Sequence, residues 1–430
     1  MNCRSRAVKL HASAAILLAA ALLARSAAAA RHKPAEAPPP MRTSQPPAWT
    51  IPAGPLGFAP PGEIYLGARY SLVSLDFLDE DRLLFTFRVP GLFRRDPTGL
   101  PGETERHIRA VVLHIPDGAV QAEALWTLHD YGRYLYMLDG GKFAVRDRGT
   151  LSLSDGSLLL TPWLTFPGPL LYVEFDPSRQ HVVTESSEPA AVRPSSGDSP
   201  GPATAHASIS TGETATDSQK TETILRILRR SSGEVILLNR VRTAVHIPFN
   251  GDGYLEPLRS RSNTWLVQFN AFTGGNSRAG TVESTCAPRL DFVASREYLA
   301  TACGPSGAQW LVAATLEGRR LWERSEGSNT VWPLLAQSRS GTRLIRETLQ
   351  TTHVVNAIAP LSGDDITKQE VAILDSATGK EVLRAQASPI FDAGGNAALS
   401  PSGRRAAILI EGGIQVFELP EAPPIPAPQP

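Results

Sequence analysis

The sequence has few of the residues and motifs from which metal, nucleotide and nucleic-acid sites are built. Its 430 residues include 3 cysteines and 9 histidines, and no histidines occur in the H-E-x-x-H or H-x-x-E-H spacing typical of zinc enzymes. No phosphate-binding glycine loop is present. Acidic and basic side chains balance at 42 each, so the chain lacks the basic excess of a nucleic-acid-binding protein. These absences argue against zinc catalysis and against nucleic acid as a partner.

Long apolar runs are also absent, with one short exception near the start. Residues 14–24 form an apolar stretch of 11 residues, which is shorter than the roughly 20 that span a bilayer. Cationic residues precede this stretch and the small residues SAAAA follow it, an order that predicts a secretory signal peptide over residues 1–30. An uncleaved anchor is the alternative. We therefore expect an exported protein, periplasmic or extracellular, with no membrane span after cleavage and a mildly acidic mature chain.

Two cysteines remain once the signal peptide is removed. Cys286 and Cys303 are separated by 17 residues, with no histidine close to either. Because an exported protein meets oxidising conditions, the pair predicts a disulfide. Metal binding by the two thiols is the weaker interpretation.

Three segments have compositions that disfavour a packed core. Residues 31–61 and 420–430 are rich in proline and predict extended spacers or arms. Residues 186–222 contain no aromatic residue and few large aliphatic ones, so we expect a disordered insertion. Ser199, within that insertion, lies in a G-x-S-x-G pattern but lacks the strand and helix that a nucleophile elbow requires.

The remainder, residues 62–419, repeats one unit: a short apolar strand, a polar turn and a second strand rich in Leu, Val and Phe. A further glycine-containing turn follows six of the seven copies. Two hairpin turns per unit predict four-stranded antiparallel sheets, and units of this size in series predict an all-β propeller of about seven blades. The last copy lacks a fourth strand, which residues 62–70 near the chain start could supply, closing the ring. The first turns centre near these residues: Glu80, Gly140, Ser178, Ser262, Ser295, Gly341 and Gly403.

Two segments carry a family resemblance. SPSGRRAAIL, residues 400–409, resembles the turn and strand of WD-repeat-like propellers, and VAILDSATGKEVLRAQ, residues 371–386, is similar to the hairpin of quinoprotein-like repeats in exported bacterial proteins. The sequence departs from these families because no Trp precedes Asp and no Gly-His pair occurs. The resemblance implies propeller architecture and does not carry over a cofactor or an active site.

Two groups of residues are candidates for binding chemistry. Asn250, Asp252 and Glu256 offer oxygen atoms at alternate positions, as calcium loops do, although Asn-Gly-Asp-Gly is also an ordinary turn. Six tryptophans lie in the repeat region and could surround a quinone, but blade-core packing is the simpler interpretation. They are Trp126, Trp163, Trp265, Trp310, Trp322 and Trp332. We predict no cofactor.

The function expected from these features is binding. Propellers present loops and a central channel to partners, so the sequence favours a binding or scaffold module for protein, peptide or glycan ligands. An envelope enzyme with its site at the channel, either a quinone-dependent dehydrogenase or a hydrolase or lyase, is the alternative. A subunit of an envelope assembly, tethered by the proline-rich arms, is a third hypothesis.

Overall fold

A computed structural model describes residues 43–60, 73–89, 105–129, 132–190, 221–241, 245–331, 334–355 and 362–422. Over these ranges the chain forms 27 β-strands and three single 3-10 turns, at Gly54–Leu56, Pro305–Gly307 and Gly363–Asp365. None of the described residues belongs to a helix with the length and apolarity needed to cross a membrane.

In chain order the strands are β1 (Trp49–Pro52), β2 (Val73–Phe77), β3 (Arg82–Arg88), β4 (Arg106–His114), β5 (Val120–Leu128), β6 (Leu135–Met137), β7 (Phe143–Asp147), β8 (Thr150–Ser154), β9 (Thr161–Thr165), β10 (Leu170–Phe175), β11 (His181–Pro189), β12 (Thr221–Arg229), β13 (Val235–Val241), β14 (Gly253–Arg259), β15 (Thr264–Ala271), β16 (Asn276–Glu283), β17 (Arg289–Ala294), β18 (Glu297–Cys303), β19 (Gln309–Thr315), β20 (Arg320–Gly327), β21 (Leu334–Gln337), β22 (Arg343–Thr351), β23 (Ile366–Asp375), β24 (Glu381–Ala387), β25 (Ala397–Leu399), β26 (Arg405–Ile410) and β27 (Gly413–Glu418).

These strands form seven antiparallel sheets, which are the blades of a β-propeller. Blades 1 to 6 consist of β2–β5, β6–β9, β10–β13, β14–β16, β17–β20 and β21–β24, and blade 7 contains β25–β27 together with β1. The all-β, seven-bladed prediction is therefore confirmed. Blade 4 has three described strands, and it is the one described blade that departs from the prediction of four strands per blade.

The middle strands are apolar on both faces because each blade packs between two others. In β3, Leu83, Leu84 and Phe85 are all fully buried although neighbouring side chains point to opposite faces. The buried apolar clusters each join adjacent blades, as where Phe85 packs with Ile414 and Val416 of blade 7. Burial on both faces is what holds the sheets in a ring.

A strand from the start of the chain closes this ring. β1 pairs antiparallel with β27, with Trp49 opposite Val416 and Ile51 opposite Ile414. Closure by an N-terminal strand is as expected, but the strand that does it comes from the segment assigned to the proline-rich linker. Residues 62–70, which were predicted to supply this strand, lie outside the described residues. Pro52 is tolerated because β1 is the outermost strand, where a missing N–H interrupts no ladder.

All seven predicted first turns join the first and second strands of a blade. Four of the six predicted second turns join third and fourth strands, but those at 147–149 and 274–275 join second and third strands instead. Their assignment was wrong because glycine specifies the sharp turn and leaves open which two strands it connects.

The segment 186–222 falls between the second and third strands of blade 3. Its ends are in the sheet, since β11 continues to Pro189, which pairs with Thr221 at the start of β12. Residues 191–220 lie outside the described residues, as do the predicted signal peptide 1–30 and residues 423–430 of the tail. At the described start of that tail, the Pro420 carbonyl accepts a 2.7 Å hydrogen bond from Arg343 Nη2.

Candidate functional site

A cavity of about 180 Å³ lies where the innermost strands of the ring meet. Residues of β2, β6, β10, β17, β21 and β25, the first strands of six blades, line it. We call this cavity the central channel. Because its wall is assembled from six different blades, side chains far apart in sequence meet there.

Three carboxylates occupy equivalent positions around the central channel. Asp76, Glu174 and Asp291 each precede a phenylalanine on the first strand of blades 1, 3 and 5. Their partners across the sheet are equivalent residues of the second strands, Leu84, Val183 and Leu299. This acid–Phe pair is a signal in the sequence that marks strands lining the channel, and we did not identify it in the sequence analysis.

Asp76 is half-buried and lines the central channel. Ser74 Oγ donates a 2.6 Å hydrogen bond to its carboxylate. Burial raises the pKa of Asp76 to about 6, although the Ser74 hydrogen bond and the positive charges of Arg133 and Arg339 act in the opposite direction. The carboxyl can therefore change protonation near neutral pH.

Glu174 and Asp291 hold His246 between them. His246 Nδ1 lies 3.2 Å from a Glu174 oxygen, and Nε2 lies 3.3 Å from Asp291 Oδ1. Burial opposes a charge on the imidazole, but hydrogen bonds to Asp291 and Glu174 prevail and raise the pKa of His246 to about 10. The Tyr172 hydroxyl, 2.7 Å from Nδ1, and the Leu290 carbonyl, 2.9 Å from Nε2, complete the surroundings.

This cluster is the one group of His, Cys, Asp and Glu in the described part of the chain whose atoms lie close enough to share a metal ion. A metal would need a neutral imidazole, whereas each nitrogen of His246 faces a different carboxylate, and these carboxylates raise its pKa and favour the protonated form. The arrangement fits an ionic clamp between blades 3 and 5 better than a metal centre. Arg289 Nη2, 3.2 Å from Asp291 Oδ1, adds a second cation.

Three arginines from different blades also line the channel: Arg133, Arg179 and Arg339. Arg133 and Arg179 belong to blades 2 and 3, and Arg339 lies in the turn between β21 and β22 of blade 6. Their positive charges all act on the Asp76 carboxyl. Nothing in the repeat pattern singles them out, because each occupies a different position in its own blade.

A second candidate site lies at the outer edge of blade 4, which has three strands among the described residues. The chain is described without a gap from 245 to 331, and residues 284–288 pass directly from β16 to β17. Among the described strands, β16 therefore pairs only with β15. A cavity of about 330 Å³ adjoins it, lined by Arg278 and Thr281 of β16 and by Tyr298 and Arg320 of blade 5. We call this feature the open edge.

The calcium candidates lie away from the central channel. Asn250 Oδ1 accepts 2.9 Å hydrogen bonds from the backbone N–H groups of Asp252 and Gly253, as in an Asx turn. Glu256, on β14, accepts a hydrogen bond from Asn270 Nδ2. The Asn250 oxygen thus stabilises the turn; the sequence predicted no metal site, and calcium binding at these weak candidates stays an untested alternative.

The predicted cysteine pair is bonded. A disulfide joins Cys286, just before β17, to Cys303 at the end of β18, with their Cα atoms 5.5 Å apart. It ties the start of blade 5 to its second strand and does not line the central channel.

The described tryptophans pack within and between blades, and none of them lines the central channel. Trp322 of blade 5 donates from Nε1 to the Ser376 carbonyl of blade 6 at 2.7 Å. Its ring lies against Gly379, in the hairpin that resembles quinoprotein repeats. Trp332 lies outside the described residues. The packing interpretation fits these positions, and a quinone site does not.

No protein-family model matches the sequence, and no curated protein matches it. Among solved structures, the chain is similar to the WD40 domain of Toxoplasma gondii coronin (8% identity, TM-score 0.45, covering 89% of this chain and 86% of that chain). It is also similar to the β-propeller domain of Myceliophteria thermophila Cps50 (Swd1) (11%, 0.41, 84% and 100%). A Pyrococcus horikoshii acylaminoacyl peptidase is matched over 82% of this chain and 51% of its own (10%, 0.44), so the chain spans about half of that enzyme. The seven sheets place this protein in the class of seven-bladed β-propellers. The solved structures similar to it include WD40 domains.

Proposed function

We propose that the protein is an exported scaffold that binds a partner protein through the open edge of blade 4. The observation that carries the proposal is the three-stranded blade, whose local chain supplies no fourth strand. An unpaired edge presents backbone N–H and C=O groups that an extended segment of another protein can pair with, as in β-strand addition. The predicted signal peptide and the disulfide support export.

The side chains beside the open edge suit a peptide better than a glycan. Arg278 and Thr281 are exposed on β16, and Arg320 of blade 5 lies across the adjoining cavity. An added strand would gain main-chain hydrogen bonds from β16 and place alternate side chains in that cavity. We therefore favour a protein or peptide ligand over a glycan.

Site-specific photo-crosslinking tests this proposal in the full-length exported protein. A photoreactive residue is placed at Thr281 on the open edge or, as the control, at Leu238 on β13 of blade 3, which is 57% exposed and does not line this cavity. We expect an adduct with another protein at Thr281 and none at Leu238. The proposal is refuted if mass spectrometry finds no adduct, the same adducts at both positions, or an adduct to a segment of the same chain.

An enzymatic function is the second candidate, and the raised pKa of Asp76 is the observation that favours it. A carboxyl with a pKa of about 6 in a channel lined with arginines is suited to acid–base steps of a hydrolase or lyase. Turnover of ester, peptide or glycoside substrates that is lost in Asp76→Asn would support this function. Equal turnover by the wild type and the variant would dismiss Asp76 as its acid or base.

A further inference from the structure

We propose that Arg133, Arg179 and Arg339 form a binding site for an oxyanion, a carboxylate or phosphate group of a small ligand, inside the central channel. This site is separate from the open edge of blade 4, so either proposal can stand without the other. It rests on the contacts of the three guanidinium groups, on the pairing of the surrounding acids and on the size of the cavity.

Each guanidinium makes one hydrogen bond among the described residues, and each of these bonds goes to a backbone carbonyl. Arg133 Nε donates to Leu135 at 3.2 Å, Arg179 Nη1 to Phe175 at 3.5 Å, and Arg339 Nη2 to Phe77 at 3.2 Å. A guanidinium carries five N–H donors in a planar fork that matches carboxylate and phosphate oxygens. Most of the donors in this part of the channel are therefore available to a ligand.

The nearby acids are already paired with other groups. Glu174 and Asp291 hold His246, Asp139 lies 3.6 Å from Arg230, and Asp79 lies 2.7 Å from Arg82. Glu80 accepts hydrogen bonds from the backbone and hydroxyl of Ser402, and Asp176 accepts one from the backbone of His181. Among the carboxylates that line the channel, Asp76 is then the one without a cation of its own, so arginines outnumber unpaired acids in the channel lining itself. Glu80 and Asp176, outside that lining, keep their negative charges.

Loss of hydration is the main effect on these arginines. Burial lowers the pKa of Arg179, and the positive charge of Arg133 lowers it further, while nearby acids, Asp176 foremost, act in the opposite direction. Burial likewise lowers the pKa of Arg339, against the negative charges of surrounding acids. A bound anion would replace the lost hydration and supply negative charge beside Arg133 and Arg179.

The cavity volume limits what can enter. About 180 Å³ is room for a few water-sized groups, which suits inorganic phosphate, a small dicarboxylate or one acidic side chain of a longer ligand. A nucleic-acid strand does not fit this space. The site therefore suits a small anion, or a single acidic group of a longer ligand.

Calorimetric titration of the full-length protein with inorganic phosphate and, separately, with succinate tests the inference at constant ionic strength. We expect saturable binding of at least one of the two anions, and the stronger binder identifies the oxyanion chemistry. Arg339→Gln and Arg179→Gln should each weaken binding at least tenfold, because a charged hydrogen bond is lost. Arg404→Gln is the matched control, since its side chain is 68% exposed and lies outside the channel lining.

A second variant keeps the test decisive if an arginine substitution disturbs folding. Asp76→Asn removes the one unpaired carboxylate of the channel lining, so the same anion should bind several-fold more tightly, which an unfolded protein cannot mimic. Binding of neither anion to the wild type would overturn the inference, as would equal weakening in Arg404→Gln or unchanged affinity in both Asp76→Asn and Arg339→Gln. Anion binding without a crosslink at Thr281 would support this site and defeat the scaffold proposal, and the reverse result would do the opposite.

Discussion

Glu347 should make the stability of the propeller fall as the pH rises through the weakly acidic range. This glutamate lies on β22, is 6% exposed, and accepts a 3.0 Å hydrogen bond from Gln369 Nε2. Burial raises its pKa to about 7; the Gln369 hydrogen bond opposes this effect, and the negative charge of Asp76 adds to it. The folded protein therefore holds a proton that the unfolded chain releases near pH 4.5.

The sign and size of the effect follow from this difference in pKa. Below about pH 4.5 Glu347 is protonated in both the folded and the unfolded state and does not change the free energy of unfolding with pH. Between pH 4.5 and 7 the unfolded state loses this proton while the folded state keeps it, so the free energy of unfolding falls. Between the ordinary pKa of 4.5 and about 7, the loss amounts to about 3 kcal/mol at 1.36 kcal/mol per pH unit. Above pH 7 both states have released the proton, and the loss of stability due to Glu347 stays constant.

Glu347→Gln tests this directly because glutamine resembles the protonated acid and can still accept the hydrogen bond from Gln369. Urea unfolding at intervals from pH 4 to 8 should show similar stabilities for the wild type and the variant at pH 4. At pH 8 the variant should be more stable by about 3 kcal/mol. Glu421→Gln, at a side chain that is 83% exposed, is the control and should change little. A difference between wild type and Glu347→Gln that does not vary with pH would refute the reasoning.

Three further predictions concern the disulfide, one hairpin glycine and the ionic clamp. Replacing Cys286 and Cys303 together by serine should lower the free energy of unfolding by about 3 kcal/mol, because the bond closes a loop of 17 residues; free thiols detected in the unreduced, denatured wild type would contradict this. Gly379→Ala should cost about 2 kcal/mol or more, since the residue has a φ of +67° and a Cβ there would lie 2.6 Å from a tryptophan ring. Gly412→Ala has a similar φ and open space, so it should cost about 1 kcal/mol in the same denaturation assay; equal losses would show that the ring contact is unimportant. His246→Gln should remove stability that is fully present below pH 6.5 and is lost as the pH rises to about 10, so wild type and variant should converge in unfolding experiments at alkaline pH, and a constant gap would count against the clamp.

The repeat pattern identified the architecture because propeller blades are built from local signals. Each first turn lies within its own hairpin, so alternating apolar residues and turn glycines were enough to predict seven units and their order. The cysteine pair was predictable for a related reason, since the two cysteines left after the predicted signal peptide have one possible partner each. The identity of the closing strand was not predictable in this way, because β1 and β27 lie at opposite ends of the chain.

The departure in blade 4 shows how a local pattern can mislead. The turn at 274–275 has the glycines of a hairpin, and the sequence around it resembles the other copies. Among the described strands blade 4 has no fourth, because the chain passes from β16 to β17 within 284–288. Hairpin chemistry specifies that two strands meet, and the number of strands in the blade depends on the length of the connection that follows.

The sequence by itself determined the periodic part of this protein: an all-β ring, about seven blades, and a disulfide between Cys286 and Cys303. Only the tertiary structure decided which side chains meet at the ring axis. Glu174, His246 and Asp291 form one cluster, and Arg133, Arg179 and Arg339 line the same cavity, although no repeat or spacing connects them. The physical reason is that strand and turn preferences act over a few residues, whereas the channel is formed by closing the ring, which brings distant blades to a common axis.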